Sequence, residues 1–176
     1  EISELNCSKS IDLLYVGRPF NPEKRFDLVV KTVLEIGEPR GRLVMVGPEN
    51  PNLHECIGRY IGLVTDKELS VLYNRSKYLF CPCIHEGSLS MLEAILGNCM
   101  PLVCWDNYWV QEFGLEQFAC YPTTFSIIEK IKEIQSDISR FLSIVNSLKE
   151  PIKEKFLSKN VAKRILNLYE TNKAKN

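Results

Sequence analysis

At 176 residues and 45% hydrophobic content, the chain is long enough for one core of ordinary size and too apolar for a disordered segment. Lys plus Arg and Asp plus Glu number 22 each, so no global field recruits nucleic acid or an anionic membrane, and any anion site must be local. No apolar run reaches the roughly 18 residues of a spanning helix and no signal peptide is read.

The first expected strand, 12–17 (DLLYVG), runs into GRPFNPEKRFD and a helix at 24–37. Gly17 permits close backbone approach, while Arg18 and Lys24 flank a loop stiffened by Pro19 and Pro22. Lys24 and Arg25 open the helix, where cations oppose the macrodipole unless an anion compensates them. That suggests a phosphate site, against the alternative of a solvated loop with Glu23 as neutraliser. A second strand, 42–47, ends in Gly47 and a Gly-Pro turn without the G-x-G-x-x-G dinucleotide fingerprint. A third, 57–61, leads to Gly62-Leu-Val64-Thr65, an apolar lip that could flank a base or simply pack ahead of the next helix. Thr65 with Glu68 predicts a capping box for the helix at 66–76.

A fourth strand at 77–82 feeds His85, Glu86, Gly87 and Ser88, whose backbone N–H groups can face an oxygen-rich ligand as a helix begins at 89–97. Glu93 sits inside that apolar helix, and a buried unpaired carboxylate costs several kcal/mol. Something polar must meet it: a ligand hydroxyl, or the helix start itself, because Ser90-x-x-Glu93 also matches a capping box. Gly97 suits a left-handed helix end, and Pro101 opens the fifth strand, 100–104. An aromatic loop and helix at 108–114 precede the sixth strand, 118–121, and a helix at 125–136. A long helical stretch follows, expected to break before Pro151, and then a polar tail that frays.

Near-continuous apolar strands alternating with amphipathic helices predict an α/β fold with a doubly wound parallel sheet and extra C-terminal helices. Ligands in such sheets bind beyond the carboxyl ends of the strands. The expected organisation is a single domain over 1–176, with a lead-in at 1–10, an α/β core at 11–137, and C-terminal helices and tail at 138–176. Seven cysteines, at 7, 56, 81, 83, 99, 104 and 120, lack paired C-x-x-C spacing. They read as reduced core thiols, which fits a cytoplasmic protein, and no metal site is expected.

Taken in order, Gly17-Arg18 with Lys24, then Gly47, then Pro82-Cys83-Ile84-His85-Glu86-Gly87 through Glu93-Ala94, then Gly97 with Pro101-Leu102-Val103, resemble one family. It is the C-terminal, nucleotide-sugar-binding domain of family 4 retaining glycosyltransferases, which have the Rossmann-like, two-domain GT-B architecture. The likeness covers roughly 12–136. Three departures stand out. Glu86 and Glu93 are six residues apart where the family has seven, so either Glu86 is the first acid after a loop deletion or His85 takes its place; the spacing from Pro82 favours Glu86. Gly97 and Pro101 are further apart than usual. The loop WDNYWVQEFG is unusually aromatic, with Glu112 near the family's G-x-x-E turn.

The resemblance implies that Arg18 and Lys24 neutralise the donor diphosphate and that Glu86 holds sugar hydroxyls. It implies that backbone N–H groups from Gly87 through Ser88 to Leu89, beside His85, meet phosphate or sugar. Glu93 would accept from the ribose diol, Gly17 and Gly47 would let the donor approach, and Val64 would lie near the base. The implied activity is transfer of a hexosyl unit from a UDP- or GDP-sugar to a glycan or lipid-linked acceptor, with retention and without metal or other cofactor. Alternatives are a GT-B sugar-nucleotide epimerase and a non-catalytic module with a degenerate pocket. Because the sequence opens at Glu1 and not Met, the chain is read as a fragment, inactive alone. Its implied partners are an N-terminal acceptor domain of the same polypeptide and, through the full-length enzyme, the cytoplasmic face of a membrane. The helices over 138–169 would either cross back to that domain or simply cover the sheet.

Overall fold

The computed structural model describes residues 9–37, 43–52, 54, 57–84 and 89–157. Its twelve regular elements follow the expected alternation. They are β1 (Ile11–Val16), α1 (Phe26–Ile36), β2 (Leu43–Val46), β3 (Arg59–Tyr60), α2 (Asp66–Arg75) and β4 (Ser76–Cys81), then α3 (Leu89–Leu96), β5 (Met100–Cys104), α4 (Tyr108–Phe113), β6 (Ala119–Cys120), α5 (Thr124–Ser136) and α6 (Ile138–Phe156).

The strands form one sheet in the order β3-β2-β1-β4-β5-β6, with every pair parallel. This is the doubly wound α/β fold that the sequence pattern predicts. Leu13 of β1 pairs with Leu43 on one side and Tyr78 on the other, so chain order reverses between β1 and β4. At such a reversal the following loops diverge to opposite faces and leave a crevice beyond the strand ends. Helix α1 packs beside α5, and α3 lies between α2 and α6. Strands covered on both faces need apolar side chains in succession; all four residues of β2 and all five of β5 are buried.

Three local expectations fail, each for a physical reason. Gly97 does not take the left-handed conformation; Asn98 does, with φ 58°. Glycine is required at 97 because a Cβ there would lie 2.7 Å from Tyr73 Cβ. Helix α6 runs through Pro151 without interruption. Pro151 is on the exposed side, while Phe141, Val145 and Ile152 anchor the helix on both sides of it. The N–H that proline lacks would have faced outward, where water satisfies the freed carbonyl. Finally, Ser90 does not cap a helix, since α3 already begins at Leu89. The box at Thr65 is present: Thr65 Oγ1 accepts from Glu68 N at 3.3 Å, and Glu68 Oε2 accepts from Thr65 N at 2.8 Å.

The C-terminal helix covers the α3 face, and its Lys149 is a buried cation. Lys149 Nζ donates to Asn98 Oδ1 at 2.6 Å, while Lys9 Nζ donates to Asn98 O at 3.0 Å. Two ammonium groups thus meet the carboxyl end of α3, the favourable end of its dipole. No helix among the described residues is long and apolar enough to cross a membrane.

Candidate functional site

Three successive strand ends are stitched together by backbone hydrogen bonds. Gly17 N donates to Val46 O at 2.9 Å and Gly47 N to Gly62 O at 3.1 Å, while the Tyr60 hydroxyl donates to Gly47 O at 2.9 Å. The first two loops touch so closely that a Cβ on Gly47 would lie 2.1 Å from Gly17 O. The structure therefore brings Gly17, Gly47 and the Gly62–Thr65 lip into one rim. Val64 is half-buried there, and Leu63 is exposed.

Lys24 ends a 3-10 turn, Pro22–Lys24, capped by Asn21, whose Oδ1 accepts from Glu23 N at 3.0 Å. This places Lys24 against a hollow of about 10 Å³ between the ends of β1 and β4, with Ser90 of α3 on the far wall. A backbone bond from Ile84 N to Glu23 O, 2.9 Å, ties the first loop to the fourth at that point. Arg18 lies further out, exposed.

Arg25 has a different fate. It takes a left-handed conformation, φ 47°, as N-cap of α1. It forms a two-pronged pair with Asp106, Nη1 to Oδ1 at 3.0 Å and Nη2 to Oδ2 at 2.6 Å, and Nη1 also donates to Pro82 O at 3.3 Å. Hydrogen bonding to Asp106 raises the guanidinium pKa against the opposing effect of burial. Asp106 is thus the anion that compensates one of the two cations at the start of α1, and it locks the first, fourth and fifth loops together.

His85, Glu86, Gly87 and Ser88 lie outside the described residues, so the choice between Glu86 and His85 is not settled by geometry. Leu89 opens α3 and is exposed. One turn on, Glu93 Oε2 accepts from the Tyr73 hydroxyl at 3.0 Å. Burial, with the Glu93 charge adding, pushes the Tyr73 phenol far above its ordinary value. Tyr73 is the polar partner that a helical glutamate in an apolar stretch demands. Glu93 also lines a second hollow of about 160 Å³, shared with Leu89, Leu92, Ile152, Lys153 and Phe156. Neither of these hollows holds Arg18, Lys24 and Glu93 together.

The loop after β5 reaches the crevice rim through Asp106 and Asn107, and the helix that follows it packs toward α6. Asn107 Oδ1 accepts from Trp109 N at 3.0 Å to start α4, and its Nδ2 donates to Cys83 O at 3.3 Å. Trp109 and Phe113 pack on Phe156 of α6, and Glu112 pairs with Lys155 and accepts from Tyr108. The largest hollow described, about 460 Å³, lies elsewhere, by the beginnings of β1 and β4 and the carboxyl end of α1. Asp12, Glu35 and Glu129 border it against Lys132, so its charge and the helix end both disfavour a phosphate. Among the described residues, no three His, Cys, Asp or Glu side chains cluster as a metal site.

Neither a protein-family model nor a curated protein sequence matches the chain. Solved structures do. Sucrose-phosphate synthase from Thermosynechococcus elongatus superposes with a TM-score of 0.78 at 19% identity, over 96% of this chain and 46% of that one. Anabaena HepE, in complex with UDP and glucose, gives 0.74 at 12% identity over 92% and 49%. The catalytic domain of cholesterol-α-glucosyltransferase from Helicobacter pylori gives 0.65 at 14% identity over 82% and 99%. The likeness is one of fold. The chain spans about half the length of the first two structures.

Proposed function

We propose that the chain is the donor-binding domain of a GT-B glycosyltransferase, which moves a hexosyl unit from a nucleoside diphosphate sugar to a glycan or lipid-linked acceptor with retention. The observation that carries this reading is the crevice at the β1/β4 reversal, where a lysine and the start of α3 face each other across strand ends joined by backbone bonds. HepE, which shares the fold, was solved with UDP and glucose.

As the glycosyl centre becomes oxocarbenium-like, the diphosphate leaves with growing negative charge. Fixed donors aimed at that charge stabilise the transition state more than the ground state. Lys24 supplies such a cation from a stiff turn, with Arg18 as the outer one, so charge stabilisation is assigned to side chains and not to a metal. Gly17 and Gly47 let the first two loops pack together at the rim that the donor would meet. Glu86 takes the sugar hydroxyls and Glu93 the ribose diol, with Tyr73 orienting the Glu93 carboxylate. Buried cysteines outside any disulfide, at 81, 83, 99, 104 and 120, suit a reducing, cytoplasmic compartment, with peripheral attachment of the full-length enzyme to the membrane.

The narrowness of the hollow by Lys24 and the engagement of Glu93 by Tyr73 favour, as a second reading, an α/β module whose pocket no longer takes a donor. Saturation-transfer NMR with UDP-glucose and a GDP-hexose separates the two. The donor reading expects weak binding that falls about tenfold or more in Lys24→Ala and Glu93→Ala, the effect of losing a hydrogen bond to a charged group. No binding, or binding unchanged in both variants, contradicts it.

A further inference from the structure

Two thiols meet at the rim of the crevice. Cys81 ends β4, Pro82 turns the chain, and Cys83 brings its sulfur back to 3.3 Å from that of Cys81. Asn107 Nδ2 donates to the Cys83 sulfur at 3.2 Å, and Asn107 is itself held in place because its Oδ1 caps α4. Either thiol can donate to the other, and the fixed amide adds a donor on the Cys83 side alone, so a developing negative charge is best placed on the Cys83 sulfur. Both cysteines line the hollow beside Lys24, whose volume of about 10 Å³ matches roughly one water molecule. Cys120, by contrast, already donates its thiol to Val103 O at 3.1 Å, and Cys99 lies deep in the core at the far end of β5.

We propose that Cys81 and Cys83 are a reversible disulfide site closed by hydrogen peroxide, and that closing it weakens donor binding; the second half rests on the donor-binding reading above. The chemistry balances with hydrogen peroxide as oxidant. The Cys83 thiolate attacks one peroxide oxygen and breaks the O–O bond, giving a sulfenic acid and hydroxide, which takes a proton to become water. The Cys81 sulfur then attacks the Cys83 sulfur, loses its proton, and releases the sulfenic oxygen as a second water. Two thiols are oxidised to one disulfide and one peroxide is reduced to two waters.

The sulfurs must close from 3.3 Å by about 1.2 Å to reach bonding distance. That movement pulls on Pro82 and Ile84. Pro82 O accepts from Arg25, and Ile84 N is bonded to Glu23 O beside Lys24, so both ties from the fourth loop to the first are strained together. A short loop between two cysteines leaves little room for relaxation, which makes such a bond easily reduced.

The test oxidises the chain with hydrogen peroxide, alkylates remaining thiols under denaturing conditions, and maps peptides by mass spectrometry. The proposal expects the peptide holding Cys81 and Cys83 to escape alkylation and weigh two hydrogens less, a change that dithiothreitol reverses. Cys104→Ser retains that pattern, whereas Cys81→Ser and Cys83→Ser each leave the remaining thiol of the pair alkylated. UDP-glucose affinity should fall about tenfold on oxidation, the loss of one charge-assisted contact, and return on reduction. Full alkylation of both cysteines, irreversible sulfinic acid, or a disulfide joining other cysteines overturns the site. Equal affinity in both states overturns its effect on the donor. A reduced chain that takes no UDP-glucose at all removes the donor reading and that second half, while the mass shift still decides the disulfide.

Discussion

Tyr73→Phe removes one oxygen from the wall between α2 and α3. Tyr73 is fully buried, and its hydroxyl gives Glu93 a hydrogen bond of 3.0 Å. The phenylalanine ring fills the same space, so the change deletes a donor to a partly buried carboxylate with little loss of packing. Hydrogen bonds to charged groups contribute about 1.5–3 kcal/mol, and the partial exposure of Glu93 points to the middle of that range, about 2 kcal/mol. With a urea slope of about 2 kcal/mol/M, the unfolding midpoint should fall by about 1 M at unchanged slope. Glu93→Leu should cost less in the Tyr73→Phe background than in the wild type, with a coupling of about 1–2 kcal/mol in the double-mutant cycle. A midpoint within about 0.25 M of wild type would refute the reasoning. So would strict additivity, which would mean that the phenol and carboxylate do not sense each other in solution.

Gly97→Ala places a methyl 2.7 Å from Tyr73 Cβ, and such overpacking should lower stability by about 1–3 kcal/mol in thermal or urea unfolding. Asp106→Asn breaks the two-pronged pair with Arg25; since both groups are partly solvated, the expected loss is about 1 kcal/mol, larger at low salt. Burial raises the pKa of Tyr73 and Tyr78 and lifts the Cys99 thiol to about 12, so these groups stabilise the fold while neutral. Stability is then full below their unfolded values and falls as pH rises past about 9–10, which unfolding midpoints from pH 7 to 11 would reveal, less steeply in Tyr73→Phe.

Most of the architecture is legible in the sequence because most strands are short apolar runs bounded by turn residues, and four helices carry a side-chain start signal, at Thr65, Asn107, Thr123 and Asp137. The edge strands are shorter than expected: 57–61 shrinks to Arg59–Tyr60 and 118–121 to Ala119–Cys120. Among the described strands each has one neighbour to pair with, so the apolar run outlasts the ladder. The features that shape the candidate site and hold the helices around it are pairs of distant residues. Arg25 finds Asp106 81 positions away, Lys149 finds Asn98 51 away, and Tyr73 finds Glu93 20 away. No local periodicity marks them. One signal was nevertheless available: two cations at the start of α1 demanded an anion, and Asp106 is the acid placed just beyond the end of β5, at the same sheet edge. Glu93 likewise demands a polar partner, and nothing in the local sequence singles out Tyr73 on the preceding helix.

A nucleotide sugar that binds as proposed sits at the carboxyl ends of β1, β2 and β4. Amide chemical-shift mapping of the isotopically labelled chain during a UDP-glucose titration tests this placement most directly. Saturable shifts are expected at residues 17–25, 47–48, 62–65 and 82–93 and nowhere else. Shifts gathered instead around Asp12, Glu35 and Phe125, at the large hollow by the strand beginnings, or no shifts at any UDP-glucose concentration, would contradict it.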